Sequence, residues 1–450
     1  MLLRSAAMRG AILEFWRGLT PLTRGLACFL LVNCLLLNLA LRYSPWPHQQ
    51  MTALSYTGAF FQRIAHDDSW RPMRTALTHL DRRPDEPLYG HVFFEKGEKF
   101  QYAPTSLLPL DALRQLPFAA RLSNRTLNGL SWLAVLALAA VVARVLVLAF
   151  REELAPDRSS DTRERALLAL LAVGATLTFY PLTRAYYGGQ IQTWVDLLFA
   201  GLVWSWIARR QATSGVLAGM ICVLKPTLAL LALWALLRRQ WRFLLGFGAT
   251  AGVAGLISLW AYGLANHLEY LSVLSYISQH GESFHANQSL GGTLHRVLGN
   301  GPNLRWEPAS FAPYNPAVHA ATTIGGLLLV GAALLYRRRD AEGAPLPDLW
   351  IAALGATLAA PIVWEHHYGV TLPLFAASLP AFYARRARLL GALPLLALAY
   401  ALISNNYRVL NRLAATPWNF LQSYVLFGGA LLLVLLYRLR AAQTTRSAQP

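Results

Sequence analysis

Apolar runs of roughly 16–24 residues recur along this chain, and a run of that length matches a bilayer core about 30 Å thick. A soluble fold has no means of covering so much apolar surface. Charged residues make up only 14% of the sequence, against about a quarter in an average soluble domain. A soluble enzyme is therefore excluded. The chain also carries 40 Lys and Arg against 22 Asp and Glu, a formal charge of +18. In a soluble protein such an excess points first to phosphate backbones. In a polytopic membrane protein it points to cytoplasmic loops rich in Lys and Arg, so no nucleic-acid partner is expected. Cys28, Cys34 and Cys222 all fall in apolar runs and imply no disulfide framework.

The basic clusters orient the runs. Arg4, Arg9, Arg17 and Arg24 precede the first run, and Arg42 follows it without a small-residue cleavage site, so the run reads as a retained span. The expected order is a cytoplasmic N-terminus at 1–24, a first span at 25–42 and a large extracytoplasmic loop at 43–126. A transmembrane bundle at 127–437 and a cytoplasmic tail at 438–450 complete it. Within the bundle, 265–317 reads as a second outer loop. The run 213–237 is anomalous, because Arg209-Arg210 and Arg238-Arg239 flank it on both sides and Lys225-Pro226 interrupts it. Proline breaks the backbone ladder, so this run reads as a bent or re-entrant helix pair. Such a break is tolerated at membrane depth only against protein or a water-filled cavity. The fold expected is an all-α polytopic bundle of about ten full spans plus one broken pair, judged by run length. It is placed as a multi-pass protein of the cell membrane.

The chemistry collects on the outer side of this topology. The first outer loop carries Asp67, Asp68, Asp81, Asp85 and further acids, and Asp67-Asp68 suit either a helix cap or a base. Arg184, Tyr187 and Gln190 stand at the outer end of two spans, and Asn287 and Gln288 lie in the second outer loop. Trp364-Glu365-His366-His367-Tyr368 form a tight turn directly between two spans. Ionisable groups at such depth pair with one another or serve a function. Two adjacent histidines cannot both enter one site from regular backbone, and no spaced Cys or His supports them, so no metal is expected. Lys225 and Asp196, each inside an apolar run, are placed to neutralise each other or to serve a site. The cytoplasmic loops are short and lack a glycine-rich phosphate cradle, so no nucleotide or other cofactor is expected.

Five motifs in order resemble glycosyltransferase family 87, over residues 100–380. They are Phe100-Gln101-Tyr102-Ala103-Pro104; Gly189-Gln190 heading a span; and the glycine-rich stretch from Gly215 to Lys225-Pro226, closed by Arg238-Arg239-Gln240-Trp241. The other two are Asn287-Gln288-Ser289-Leu290 with Arg296, and Pro361 to Tyr368. Gln192 stands where the family often has Asn. The resemblance implies a GT-C-type bundle and a hexosyltransferase, most nearly a mannosyltransferase. Its donor would be a polyprenyl-phosphate-linked sugar, and its acceptor a lipid or glycan on the extracytoplasmic face. A catalytic aspartate is implied in the first outer loop. Residues 43–61 hold no carboxylate, so the role falls on Asp68 or Asp67, with Asp81 and Asp85 next in line. Arg184, Tyr187, Gln190, Lys225, Asn287, Gln288, Glu365, His366 and His367 are the implied substrate-binding residues. Two rivals remain at this stage: an O-antigen-ligase-like transferase using a diphosphate-linked glycan, and a lipid or solute transporter or flippase.

Overall fold

A computed structural model of the chain describes residues 13–43, 51–117, 123–154, 162–336 and 346–444. Arg4, Arg9, Phe118, Arg121, Arg158 and the cluster Arg337, Arg338 and Arg339 lie outside the described residues. Among the described residues the structure is helical, and its one β contact is an isolated bridge between Asn287 and Trp364. Among the described residues five helices are long and apolar enough to cross a bilayer: Pro21–Arg42, Asn124–Leu154, Trp241–His280, Pro316–Leu335 and Pro417–Gln443. A sixth span results if Thr162–Thr178 and Tyr180–Gly188, bent by 51°, are taken as one. The protein is a multi-pass helical membrane protein.

Helix length does not support the ten full spans expected from the sequence. Several apolar runs become short helices, among them Leu346–Leu358, Thr371–Ala384 and Ala392–Ser404. At 1.5 Å per residue, 13 residues reach about 20 Å, short of a core about 30 Å thick. Two local details differ from what run length gives. The helix expected to begin at 127 starts at Asn124. The run from 166 breaks at Phe179, where ψ of 109° ends the helix before Tyr180-Pro181 opens the next one. At Gly263, φ of +75° and ψ of 154° are not helical, so Trp241–His280 is two helices joined at a kink two residues before the expected start of the second outer loop. The break at Lys225-Pro226 is borne out: Gln211–Leu224 ends at an extended Lys225, and a tight turn at Pro226–Ala229 leads into Leu230–Leu237.

Packing follows membrane rules. Helix Gln211–Leu224 lies so close to Trp241–His280 that a Cβ on Gly215 would stand 2.0 Å from the Phe243 carbonyl. Small residues give this approach, and with it the dispersion contacts that replace a hydrophobic drive in lipid. Trp260 of the same long helix is 87% exposed. At the end of the bundle remote from Asp68, Arg238 Nε (2.6 Å) and Trp234 Nε1 (2.9 Å) donate to Asp348 Oδ2, and Arg440 Nη1 donates to Oδ1 (2.5 Å). All four residues are nearly enclosed. The Asp348→Ala protein is expected to lose about 3–5 kcal/mol, since two buried guanidinium groups are left without a counter-charge. A lowered melting temperature in detergent is the readout; an unchanged one would show that the arginines find other partners.

Candidate active site

The site forms where the first loop closes on the C-terminus of helix Tyr180–Gly188. A helix leaves its last carbonyls without intrahelical donors. Here the loop supplies them: His66 N donates to Tyr187 O (2.8 Å), Asp68 N to Gly188 O (2.9 Å) and Ser69 N to Gly189 O (3.3 Å). Gly189 adopts φ of +64°, the left-handed cap that glycine takes without strain. A Cβ on Gly189 would stand 2.1 Å from the His66 carbonyl. The Gly189→Ala protein is therefore expected to push the loop off its helix and lose about a hundredfold in turnover, the loss an ångström of misplacement brings. An assay of turnover at unchanged melting temperature checks it; wild-type turnover would show that the loop position is immaterial.

The two adjacent aspartates then diverge. Asp67 Oδ2 accepts from Asn124 Nδ2 (2.8 Å), which ties the loop to the long helix Asn124–Leu154. Asp68 turns the other way, where Gln190 Nε2 donates to its Oδ2 (3.2 Å). Gln190 Oε1 accepts from Ser69 Oγ (3.0 Å), and Ser69 Oγ meets the Tyr102 hydroxyl (2.8 Å). A chain of hydrogen bonds thus runs from Tyr102 to Asp68, and it joins the Phe100–Pro104 motif to the loop aspartate. Burial pushes the Tyr102 hydroxyl up to about 12, so it remains a protonated donor at the head of the chain. Asp68 itself reaches solvent, yet protein crowds around its carboxyl. That crowding raises its carboxyl above the ordinary carboxylate value, while Arg184 and Gln190 pull it back.

Arg184 faces Asp68 across Gly188. A Cβ on Gly188 would lie 3.0 Å from Asp68 Oδ2 and 3.1 Å from Arg184 Nη1, so both groups border one small space. The guanidinium carbon stands 5.9 Å from the Tyr56 ring centroid and 5.8 Å from that of Tyr187, at the outer limit of cation–π range. Behind it, Tyr180 Oη donates to Glu365 Oε2 (2.5 Å), and Arg184, Arg408 and Arg296 all act electrostatically on that carboxylate. Glu365 is thus the buried counter-charge of a cationic mouth.

Lys225 forms a second cluster. Its ammonium meets His367 Nε2 (2.6 Å) and donates to Gln192 Oε1 (3.2 Å), and Gln192 Nε2 donates to Asp196 Oδ1 (2.9 Å). The two charged residues placed to neutralise each other are thus linked through a glutamine rather than in direct contact. His366 lies between the clusters, within the fields of both Lys225 and Arg184. The His366 and His367 rings are 4.6 Å apart and perpendicular. Asn287 and Gln288 are fully buried, and their amides serve backbone. Val363 N donates to Asn287 Oδ1 (3.0 Å), Val425 N donates to Gln288 Oε1 (3.1 Å), and Gln288 Nε2 donates to Gln422 O (2.8 Å). They hold the Glu365 turn against the second outer loop and the last span.

The structure brings Asp68, Arg184, Tyr187, Gln190 and Glu365 into one mouth, with His366, His367 and Lys225 beside it. Sequence reasoning missed Tyr56 and Arg408. Tyr56 had no signal. Arg408 had one: it lies with Arg412 in a short loop that the positive-inside pattern puts on the outer face, where arginine is scarce.

A helical membrane bundle with a broken helix, and a loop aspartate set against buried cations beside it, defines a membrane enzyme acting at the end of its spans. The chain belongs to glycosyltransferase family 87: residues 100–363 match that family, and they include Tyr102, Arg184 and Lys225 and stop one residue short of Trp364. It is a glycosyltransferase. A polyprenol-phosphate-mannose-dependent alpha-(1-2)-phosphatidylinositol mannoside mannosyltransferase of Mycolicibacterium smegmatis is 28% identical over 330 residues, 68% of each chain. A polyprenol-phosphate-mannose-dependent alpha-(1-2)-phosphatidylinositol pentamannoside mannosyltransferase of the same organism is 26% identical over 321 residues, 70% of this chain and 67% of that one. No solved structure matches the chain.

Proposed function

We propose that this protein transfers a hexose, mannose in the first instance, from a polyprenyl-phosphate carrier to a glycolipid acceptor on the extracytoplasmic face, with both termini cytoplasmic. The observation that carries the reading is the pairing of Asp68 with Arg184 across Gly188, in a family member whose relatives use polyprenol-phosphate-mannose. Asp68 is the general base, within reach of an acceptor hydroxyl held in the mouth. As the bond from the anomeric carbon to the phosphate oxygen breaks, its electron pair passes to the phosphate. The acceptor oxygen bonds that carbon and yields its proton to Asp68. Arg184, Lys225, His366 and His367 present fixed positive or donor groups to the departing phosphate, the effect that dominates many such sites. Gln190 orients Asp68, and Tyr187 supplies a ring wall. Asn287 and Gln288 act as positioning residues, and Glu365 keeps the cations in place. Neither a metal nor a nucleotide enters the scheme.

The test is purified protein in lipid, given radiolabelled polyprenyl-phosphate mannose, a nucleotide sugar or a diphosphate-linked oligosaccharide, together with a membrane glycolipid extract. Label should move to lipid from the first donor alone. Transfer from the nucleotide sugar without carrier, or of the whole oligosaccharide, would overturn the donor assignment. Sidedness has its own check: a cysteine replacing Asn300 should react with an impermeant thiol reagent from outside intact cells, and labelling only after permeabilisation would invert the topology.

A further inference from the structure

The first span is fastened at its two ends and stands open between them. At the end near Asp68, Asn33 Nδ2 donates to Ser404 Oγ (3.0 Å), Asn38 Nδ2 to Asn405 Oδ1 (2.6 Å) and Asn405 Nδ2 to Asn33 Oδ1 (2.9 Å). At the far end the hydroxyls of Thr20 (2.6 Å) and Thr23 (2.5 Å) donate to Glu164 Oε1. Between these staples, helix Pro21–Leu30 holds off Thr371–Ala384 and Ala392–Ser404 and leaves a cavity of about 360 Å³. Its walls are apolar, with Leu26, Phe29, Leu146, Leu379 and Leu396 among them. The Tyr400 ring closes its inner end, packed on Phe29 (5.7 Å), Phe375 (5.1 Å) and Phe179 (5.5 Å between centroids).

An apolar cavity of this kind stays dry and takes apolar guests. The ten residues of Pro21–Leu30 rise about 15 Å, roughly half of a hydrocarbon core and so the depth of one leaflet. Two arginines stand beside the lining. Arg24 is next in sequence to the lining residue Gly25, and Arg386, whose guanidinium lies 4.3 Å from the ring centroid of the lining residue Tyr383, donates to the Tyr383 carbonyl (2.9 Å). Arg385 is already neutralised by Glu153 (2.7 Å).

We propose that this cavity binds one acyl chain of an anionic phospholipid from the leaflet at the Arg24 end, its phosphate facing Arg24 and Arg386. The end of the chain rests on the Tyr400 ring, which packs on Phe179, the residue before Tyr180, whose hydroxyl holds Glu365. Occupancy therefore supports the floor of the site from the opposite side of the membrane.

The test offers detergent-purified protein phosphatidylglycerol or phosphatidylcholine of equal chain length and reads retained lipid by native mass spectrometry. Phosphatidylglycerol should be retained in preference to phosphatidylcholine. The Ala376→Phe and Ala397→Phe proteins, with the cavity filled, should lose it at an unchanged melting temperature. Should either fail to fold, Ala172→Leu fills the same space with less bulk. Arg24→Gln and Arg386→Gln should each weaken retention roughly fivefold, the contribution of one basic residue near a charged headgroup. Equal retention of both lipids, or retention unaffected by filling the cavity, overturns the proposal. So does preferential retention of a polyprenyl phosphate, which would give the cavity to the donor.

Discussion

The Asp68→Asn protein is expected to fold, to bind donor near the wild-type affinity and to transfer sugar about 10²–10⁴-fold more slowly, the contribution of a positioned general base. The amide keeps the size of the carboxylate and can still meet Gln190, so the loop geometry survives and only proton acceptance is lost. The companion Asp67→Asn keeps an amide oxygen that can accept from Asn124 and should retain most activity. Full activity in the double variant would remove both from the reaction. The wild-type pH profile adds a second check. A base works ionised, so the rate rises with pH through the pKa of Asp68. Crowding in the mouth lifts that carboxyl, and the acid limb should lie above the ordinary carboxylate range. In Asp68→Asn that limb should vanish from the residual rate.

Much of this site was readable because its chemistry is local. A carboxylate, an arginine, a glycine pair and a glutamate–histidine turn stand out wherever the surrounding sequence is apolar, since each carries a desolvation penalty there. The break at Lys225-Pro226 was readable for a similar reason, because proline acts on the ladder of its own helix. What run length could not show was where an apolar segment stops being helical. Phe179 and Gly263 interrupt helices through backbone angles that hydropathy does not register. The choice between Asp67 and Asp68 was also not local. It depends on Asn124, 57 residues from Asp67, and on Gln190, 122 residues from Asp68. Asn287 and Gln288 show the converse: polar residues in an outer loop invite a ligand reading, yet in the fold their amides satisfy the backbone of distant segments. The linkage of Lys225 to Asp196 likewise required the helix that carries both Gln192 and Asp196 to be placed against the Lys225 break.

Replacing Arg184 by Gln is the sharpest test of how the mouth works. Arg184 lies between Asp68 and Glu365, and its guanidinium is the cation that acts on both carboxylates. If it stabilises the departing phosphate, its loss should cost about 10²–10³ in turnover, the scale of removing one preorganised charge or donor. Arg184→Lys keeps the charge but not the planar fork, and should recover only part of that rate. A general loss of structure could also slow transfer, so the discriminating readout is the pH profile. Arg184 is the largest influence holding the Asp68 carboxyl down against crowding. Without it the carboxylate forms less readily, and the acid limb should move to higher pH in Arg184→Gln while staying near its wild-type position in Arg184→Lys. A slower enzyme whose limb does not move would place Arg184 outside the field of Asp68 and leave it a purely structural part of the Tyr56, Tyr180 and Tyr187 cluster.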